Sequence, residues 1–124
     1  MIAGLGLDMI EVDRVAEKIG KESGFREMIF TPAEIAYCED KTNKFEHYAA
    51  RFAAKEAFFK ALGTGWLTGT AFNQVEIGHN DQGQPQISLL GKTAETIEAI
   101  GSFKILVSLS HLKAVASAVV ILEK

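Results

Sequence analysis

The sequence predicts an α+β domain, on three observations. A short apolar strand opens the chain, helix start signals and an apolar stripe at helical spacing fill the rest of the first half, and the second half is mostly strand. The order strand, helices, hairpin, helix, hairpin is not the alternating pattern of a βαβ nucleotide-binding fold. Gly4-Leu5-Gly6-Leu7-Asp8-Met9 also lacks the glycine spacing of a dinucleotide fingerprint.

Each element has a local reason. Residues Ile2 to Leu7 alternate larger apolar residues with small ones and read as a short buried strand, ended by Asp8. A helix begins near Asp13, a residue suited to capping, and turns Val15 and Ile19 inward. Thr31-Pro32-Ala33-Glu34 is a second start: threonine caps, proline suits the first helical position, and glutamate closes a capping box. The longest helix runs from Phe45 to Leu62, with Phe45, Tyr48, Phe52, Phe59 and Leu62 on one face and Ala49 and Ala53 filling it. Gly63-Thr64-Gly65 ends it with residues that accept a left-handed turn. Val75 and Ile77 alternate with polar neighbours, Asn80-Asp81-Gln82-Gly83 turns, and Gln86 to Leu90 runs back. Lys92 to Ile100 reads as a helix. Phe103 to Leu109 and Val115 to Leu122 are two further strands, joined through Ser110-His111-Leu112-Lys113.

A chain of 124 residues suits one domain, spanning 1–124. Its 48% hydrophobic and 23% charged residues are a globular balance and argue against disorder. The net charge of −3 argues against broad nucleic-acid binding. The single cysteine, Cys38, excludes an internal disulfide and a multi-cysteine zinc site; it reads as a small buried residue in a reduced, cytoplasmic setting. The opening residues lack a basic region and carry Asp8 and Glu11, unlike a signal peptide. No apolar run approaches the roughly 18 residues of a membrane span, so no membrane partner is expected.

Glu56 is the most informative polar position. It lies between Phe52 and Phe59 on the long helix, so its carboxylate faces inward and needs a partner. Lys60, one turn on, offers an ordinary ion pair. Asp8, at a strand end, is either a cap or a second carboxylate for a hard cation such as Mg²⁺. Gly63-Thr64-Gly65 is either a helix cap or bare backbone against phosphates, with Lys60 one turn before it. His111, beside Ser110, is a polar loop residue, a phosphate contact or a proton-transfer group. His47 and His79 read as surface residues. Arg14, Lys18 and Lys21 share one helix face, either solvated or a docking stripe for an acidic partner, diluted by Glu17 and Glu22.

Gly4-Leu5-Gly6-Leu7-Asp8-Met9-Ile10-Glu11-Val12 resembles the opening signature of holo-[acyl-carrier-protein] synthases. The run from Arg51-Phe52-Ala53-Ala54-Lys55-Glu56 through Lys60-Ala61-Leu62-Gly63-Thr64-Gly65 is similar to their second, more specific signature. Phe30-Thr31-Pro32-Ala33-Glu34 and Leu109-Ser110-His111 with the following hairpin also match, in order along nearly the whole chain. Val115 departs from the aromatic residue often found there.

The resemblance implies a 4′-phosphopantetheinyl transferase of the small type: one long helix on a small, mainly antiparallel sheet, assembled as a homotrimer with sites between subunits. It implies transfer of the phosphopantetheine arm of coenzyme A to a serine of apo acyl carrier protein, in support of fatty acid synthesis. By the same resemblance Asp8 and Glu56 bind Mg²⁺, and Lys60 neutralises phosphate charge. Gly63, Thr64 and Gly65 lie against the nucleotide. Arg51 and His111, with Ser110 adjacent, contact phosphates. Gly83-Gln84-Pro85 lies near the adenine, across the interface. Arg14, Lys18 and Lys21 face the carrier protein. Glu56, a metal-held water or His111 takes the serine proton. Two other functions compete: a non-catalytic coenzyme A or carrier-protein binding module, which would not require the Asp8, Glu56 and Lys60 cluster, and a Mg²⁺-dependent hydrolase of the coenzyme A pyrophosphate, which would not require the basic stripe.

Overall fold

A computed structural model describes residues 1–21 and 24–124. The first strand decides the architecture. Strand β1 (Ile2–Glu11) pairs antiparallel with β5 (Val115–Glu123), which pairs on its other edge with β4 (Lys104–His111), giving the order β1-β5-β4. A separate hairpin is formed by β2 (Val75–His79) and β3 (Pro85–Leu89). Helices α1 (Val12–Lys21), α2 (Phe25–Ile29), α3 (Pro32–Glu39), α4 (Lys44–Leu62) and α5 (Gly91–Ile100) complete the order. The α+β class and the long helix on an antiparallel sheet are as expected.

Several boundaries differ from expectation. Strand β1 does not end at Asp8: β5 is long enough to pair it down to Glu11, opposite Val115, so Asp8 sits within the strand opposite Ala118. Asp13 does not precede its helix but lies in its first turn, because Val12 already turns. His111 ends β4 instead of occupying the turn, since the tight closure from Leu112 N–H to the Val115 carbonyl (2.8 Å) leaves only Leu112 to Ala114 to reverse the chain. Helix α2 and a 3-10 turn at Phe72–Gln74 carry no clear sequence period.

Helix α4 lies directly on β1. A Cβ added at Gly6 would sit 1.9 Å from the Ala57 carbonyl oxygen, and one at Gly4 1.9 Å from that of Ala61. The paired glycines therefore serve backbone contact between strand and helix. Alanines along α4 continue this fit: Ala49, Ala53, Ala54 and Ala57 are fully buried. Because α1 and α3 cover the helix away from the sheet, it is buried nearly all round rather than along one stripe. Strand β1 is buried on its inner face only; Leu5, Leu7 and Met9 are 65%, 60% and 66% exposed on the outer face of the single chain.

The interior also holds charge. Lys55 and Glu34 are fully buried and pair at 2.8 Å. The Lys55 ammonium also donates to the carbonyls of Phe72 (2.8 Å) and Val75 (2.7 Å). Glu34 accepts from the Thr31 and Ile77 amides. This ties α3, α4 and β2 together. The Thr31–Glu34 capping box is formed as expected, and Thr31 Oγ1 donates a further bond to Glu76. Thr31→Ala removes both, and is expected to cost about 1–2 kcal/mol in a denaturant titration.

Candidate active site

The pleat of β1 puts Gly4, Gly6, Asp8 and Ile10 on the face toward α4. The two glycines let the helix settle, and Asp8 follows where its next turn carries Glu56 and Lys60. Lys60 Nζ donates to Asp8 Oδ1 (2.8 Å) and to the Leu7 carbonyl (3.0 Å). The expected helical ion pair with Glu56 is not formed: Asp8, reaching from the strand, takes the ammonium. Its hydrogen bond holds the Lys60 ammonium above the ordinary lysine range, so it stays charged at neutral pH.

Glu56 is half-buried, and among the described residues its carboxylate has no hydrogen-bond partner. Burial raises its pKa above 4.5, and the neighbouring Asp8 raises it further, against the pull of Lys60 and Lys18. The two carboxylates, near enough for Asp8 to raise the proton affinity of Glu56, form an oxygen-only donor set. Among the described residues no third acidic, histidine or cysteine side chain joins them. Such a sparse set fits Mg²⁺, a hard cation that keeps waters and takes phosphate oxygens.

Without a cation, the folded chain holds the Glu56 proton more tightly than the unfolded chain. The stabilisation this gives is complete below 4.5 and is lost as pH rises through the raised value. A cation must displace that proton. Its affinity should therefore fall on acidification at a higher pH than an ordinary glutamate would give, and Glu56→Gln should flatten this dependence in a metal titration by calorimetry.

A second cluster lies on the other flank of α4. Arg51 is 2% exposed, yet among the described residues it makes no ion pair, and its buried Nε has no partner. Its guanidinium stacks on the Tyr37 ring at 4.2 Å. It lines a cavity of about 270 Å³ together with His111, Gly83 and Pro85. His111 donates from Nδ1 to Glu46 (2.8 Å), which leaves Nε2 without a partner among the described residues, and this bond holds Glu46 below its ordinary range. Arg51 Nη1 donates to the His47 carbonyl (3.4 Å), and a buried arginine without a counter-charge is suited to an anion.

The structure thus gathers the expected residues into two groups. Asp8, Glu56 and Lys60 meet; Arg51, His111 and Pro85 meet. Gly63, Thr64 and Gly65 are exposed just beyond Lys60, with φ of 77° at Gly63 and 69° at Gly65. Ser110 joins neither group: it precedes His111 in β4, so its side chain lies on the opposite face of the sheet. Arg14, Lys18 and Lys21 share one shallow surface groove, with Lys21 paired to Glu17 at 2.8 Å. Glu22 lies outside the described residues. Cys38 is buried, and burial pushes its thiol up to about 11.

Sequence reasoning missed two residues. His47 and His79, read as surface groups, both line the Arg51 cavity. For His47 the signal was present, since it stands one helical turn before Arg51. His79 arrives only through the register of the hairpin, opposite Pro85.

The family model for the 4′-phosphopantetheinyl transferase superfamily matches residues 4–119. The holo-[acyl-carrier-protein] synthase of Solibacter usitatus is 47% identical over 124 residues, covering 99% of each chain. That of Maridesulfovibrio salexigens is 46% identical over the whole of both chains. Among solved structures, the holo-[acyl-carrier-protein] synthase from Neisseria meningitidis superposes with a TM-score of 0.90 at 31% identity, over all of both chains. A holo-(acyl-carrier-protein) synthase from Bacillus anthracis, in complex with CoA (3′,5′-ADP), gives 0.82 at 33% identity, over 100% of this chain and 98% of that one. With the family model matched over residues 4–119 and the fold shared with solved members, the chain belongs to the 4′-phosphopantetheinyl transferase superfamily.

Proposed function

We propose that this protein is a holo-[acyl-carrier-protein] synthase, moving the 4′-phosphopantetheine arm of coenzyme A to a serine of apo acyl carrier protein. The observation that carries this is the meeting of Asp8, Glu56 and Lys60. In the reaction the serine Oγ bonds to the phosphorus that bears the pantetheine arm. The pyrophosphate P–O bond breaks, and adenosine 3′,5′-bisphosphate leaves. Such a transfer is chiefly a matter of positioning and of charge on oxygen.

Asp8 and Glu56 would hold Mg²⁺, which when bound supplies Lewis-acid neutralisation of pyrophosphate charge. Lys60 adds a fixed positive charge, released from Asp8 to the phosphates as substrate arrives. Gly63, Thr64 and Gly65 leave open backbone beside that lysine for the nucleotide portion. Glu56, whose carboxylate has no hydrogen-bond partner among the described residues, or a water held beside it, would take the serine proton. Arg51 and His111 take the remaining phosphate of coenzyme A, and Pro85 borders its base. Arg14, Lys18 and Lys21 face the acidic carrier protein; Lys18 is near enough to Glu56 to lower its pKa, so the docking face borders the reacting centre.

A homotrimer with sites between subunits is part of this reading. Glu56 and Arg51 are five residues apart, about 140° around the helix, and Glu56 and His47 about 180°. One coenzyme A therefore uses the metal flank of one subunit and the Arg51 flank of the next. The exposed Leu5, Leu7 and Met9 offer an apolar sheet face for that assembly. Among the described residues no helix is long and apolar enough to cross a membrane, and a cytoplasmic setting, where coenzyme A and carrier protein meet, is the proposed location.

Hydrolysis of coenzyme A is the competing chemistry. Release of adenosine 3′,5′-bisphosphate from coenzyme A, followed by chromatography with and without apo acyl carrier protein, separates the two. Transfer requires release only when the carrier protein is present. Release at the same rate without it would make the protein a hydrolase.

A further inference from the structure

All three histidines of the chain line the Arg51 cavity. They come from separate places: His47 from α4, His79 from the end of β2, His111 from the end of β4. The His47 and His111 rings lie 5.0 Å apart between centroids. Tyr37 joins the other two, 5.7 Å from His47 and 5.1 Å from His79, while Arg51 covers its face. In an acidic protein this concentrates cationic capacity in one place.

We propose that His47 and His79 are additional contacts for a phosphomonoester dianion in this cavity, and that coenzyme A binding places protons on them. The inference rests on the reading of Arg51 and His111 as phosphate contacts. Coenzyme A has two kinds of phosphate. The pyrophosphate belongs with Asp8, Glu56 and Lys60, and the 3′-phosphomonoester is the group left for the histidine cavity. That dianion matches imidazolium in charge and donor geometry.

The surroundings make the protonation conditional on the ligand. Burial holds His47 below its ordinary value, helped by the positive charges of His111, Arg51 and Lys41 and opposed by Glu46. Burial likewise lowers His79, with Arg51 and Lys41 adding to it. Glu46 is already engaged by His111, and Glu76, which borders an adjoining cavity with His79, accepts from Thr31. Tyr37 supplies a ring face rather than a charge. The free cavity thus keeps His47 and His79 neutral near physiological pH. A dianion reverses the sign of the local field and draws a proton onto each. The consequence is a coenzyme A affinity that rises on mild acidification, by about tenfold per unit of imidazole pKa gained.

The test is calorimetry of the intact protein with saturating Mg²⁺, titrating coenzyme A and, separately, dephospho-coenzyme A. Titrations are run in buffers of different ionisation enthalpy at about pH 7.5, where a phosphomonoester with second pKa of about 6 is already dianionic. The expected result is an uptake on the order of one proton with coenzyme A and none beyond background with dephospho-coenzyme A. His47→Gln and His79→Gln should each reduce the uptake while coenzyme A still binds better than its dephospho form through Arg51. A preference for coenzyme A with no proton uptake, or with uptake unchanged in both variants, would overturn the role of His47 and His79 and leave the Arg51 site standing. Equal affinity and equal uptake for both ligands would overturn the phosphate reading of the cavity itself.

Discussion

Gly6→Ala is expected to destabilise the fold by about 3 kcal/mol or more, at the upper end of what overpacking costs. The new methyl would lie 1.9 Å from the Ala57 carbonyl oxygen and 2.8 Å from the Ala61 amide nitrogen. Both are backbone atoms of one rigid helix, so no side-chain rotation relieves them. Helix and strand must part, and with them Asp8 from Glu56 and Lys60. Thermal unfolding should fall by about 10 °C or more, and metal affinity should fall with it. A wild-type melting temperature in Gly6→Ala would mean that α4 does not rest on β1 as described. Alanine at Gly78, where an added Cβ meets nothing, is the control for loss of a glycine as such.

Lys55→Met should cost about 3–5 kcal/mol, since it strands a buried carboxylate. Glu34 would keep its bonds from the Thr31 and Ile77 amides but lose its counter-charge, and the Phe72 and Val75 carbonyls would lose their donor. Lys55 is 0% exposed, and desolvation holds its ammonium below the ordinary range despite Glu34. The double variant Lys55→Met with Glu34→Gln should recover part of the loss, because a neutral amide needs no counter-charge, although its single oxygen keeps only one of the Thr31 and Ile77 bonds. Denaturant midpoints measure both. A double variant no more stable than the single would deny that stranded charge is the main cost.

These two positions also mark how far the sequence could be read. The Thr31 capping box needs only neighbouring residues, and it was legible. So were α4 and the five strands, because period and turn residues are local. The buried partner on α4 was not. Spacing from Phe52 and Phe59 singled out Glu56, yet Lys55 is the fully buried residue and Glu56 the half-buried one. A one-stripe reading fails for a helix covered on both sides, since adjacent residues then both face protein. The glycines at positions 4 and 6 were visible as a pattern, but their purpose depends on which helix crosses the strand.

The candidate site divides the same way. Asp8, Glu56 and Lys60 each stand out by position, the family resemblance groups them, and the structure brings them together. That Lys60 pairs with Asp8 and not with Glu56 depends on the reach of a strand fifty residues away, which helical spacing does not encode. The Arg51 cavity is assembled from α3, α4, the β2–β3 hairpin and β4. Its histidines could not be grouped before those elements were docked. His79 in particular needs the hairpin register that sets it opposite Pro85.

Under the proposed function, Asp8 and Glu56 support phosphopantetheine transfer to a carrier protein. Intact-mass spectrometry of apo acyl carrier protein after incubation with the protein, coenzyme A and Mg²⁺ tests it most directly, with chelator and Asp8→Ala as parallel samples. The expected result is a mass gain of one phosphopantetheine group, abolished by chelator and by Asp8→Ala. An unmodified carrier protein in the complete mixture, or a mass gain that survives both controls, would contradict it.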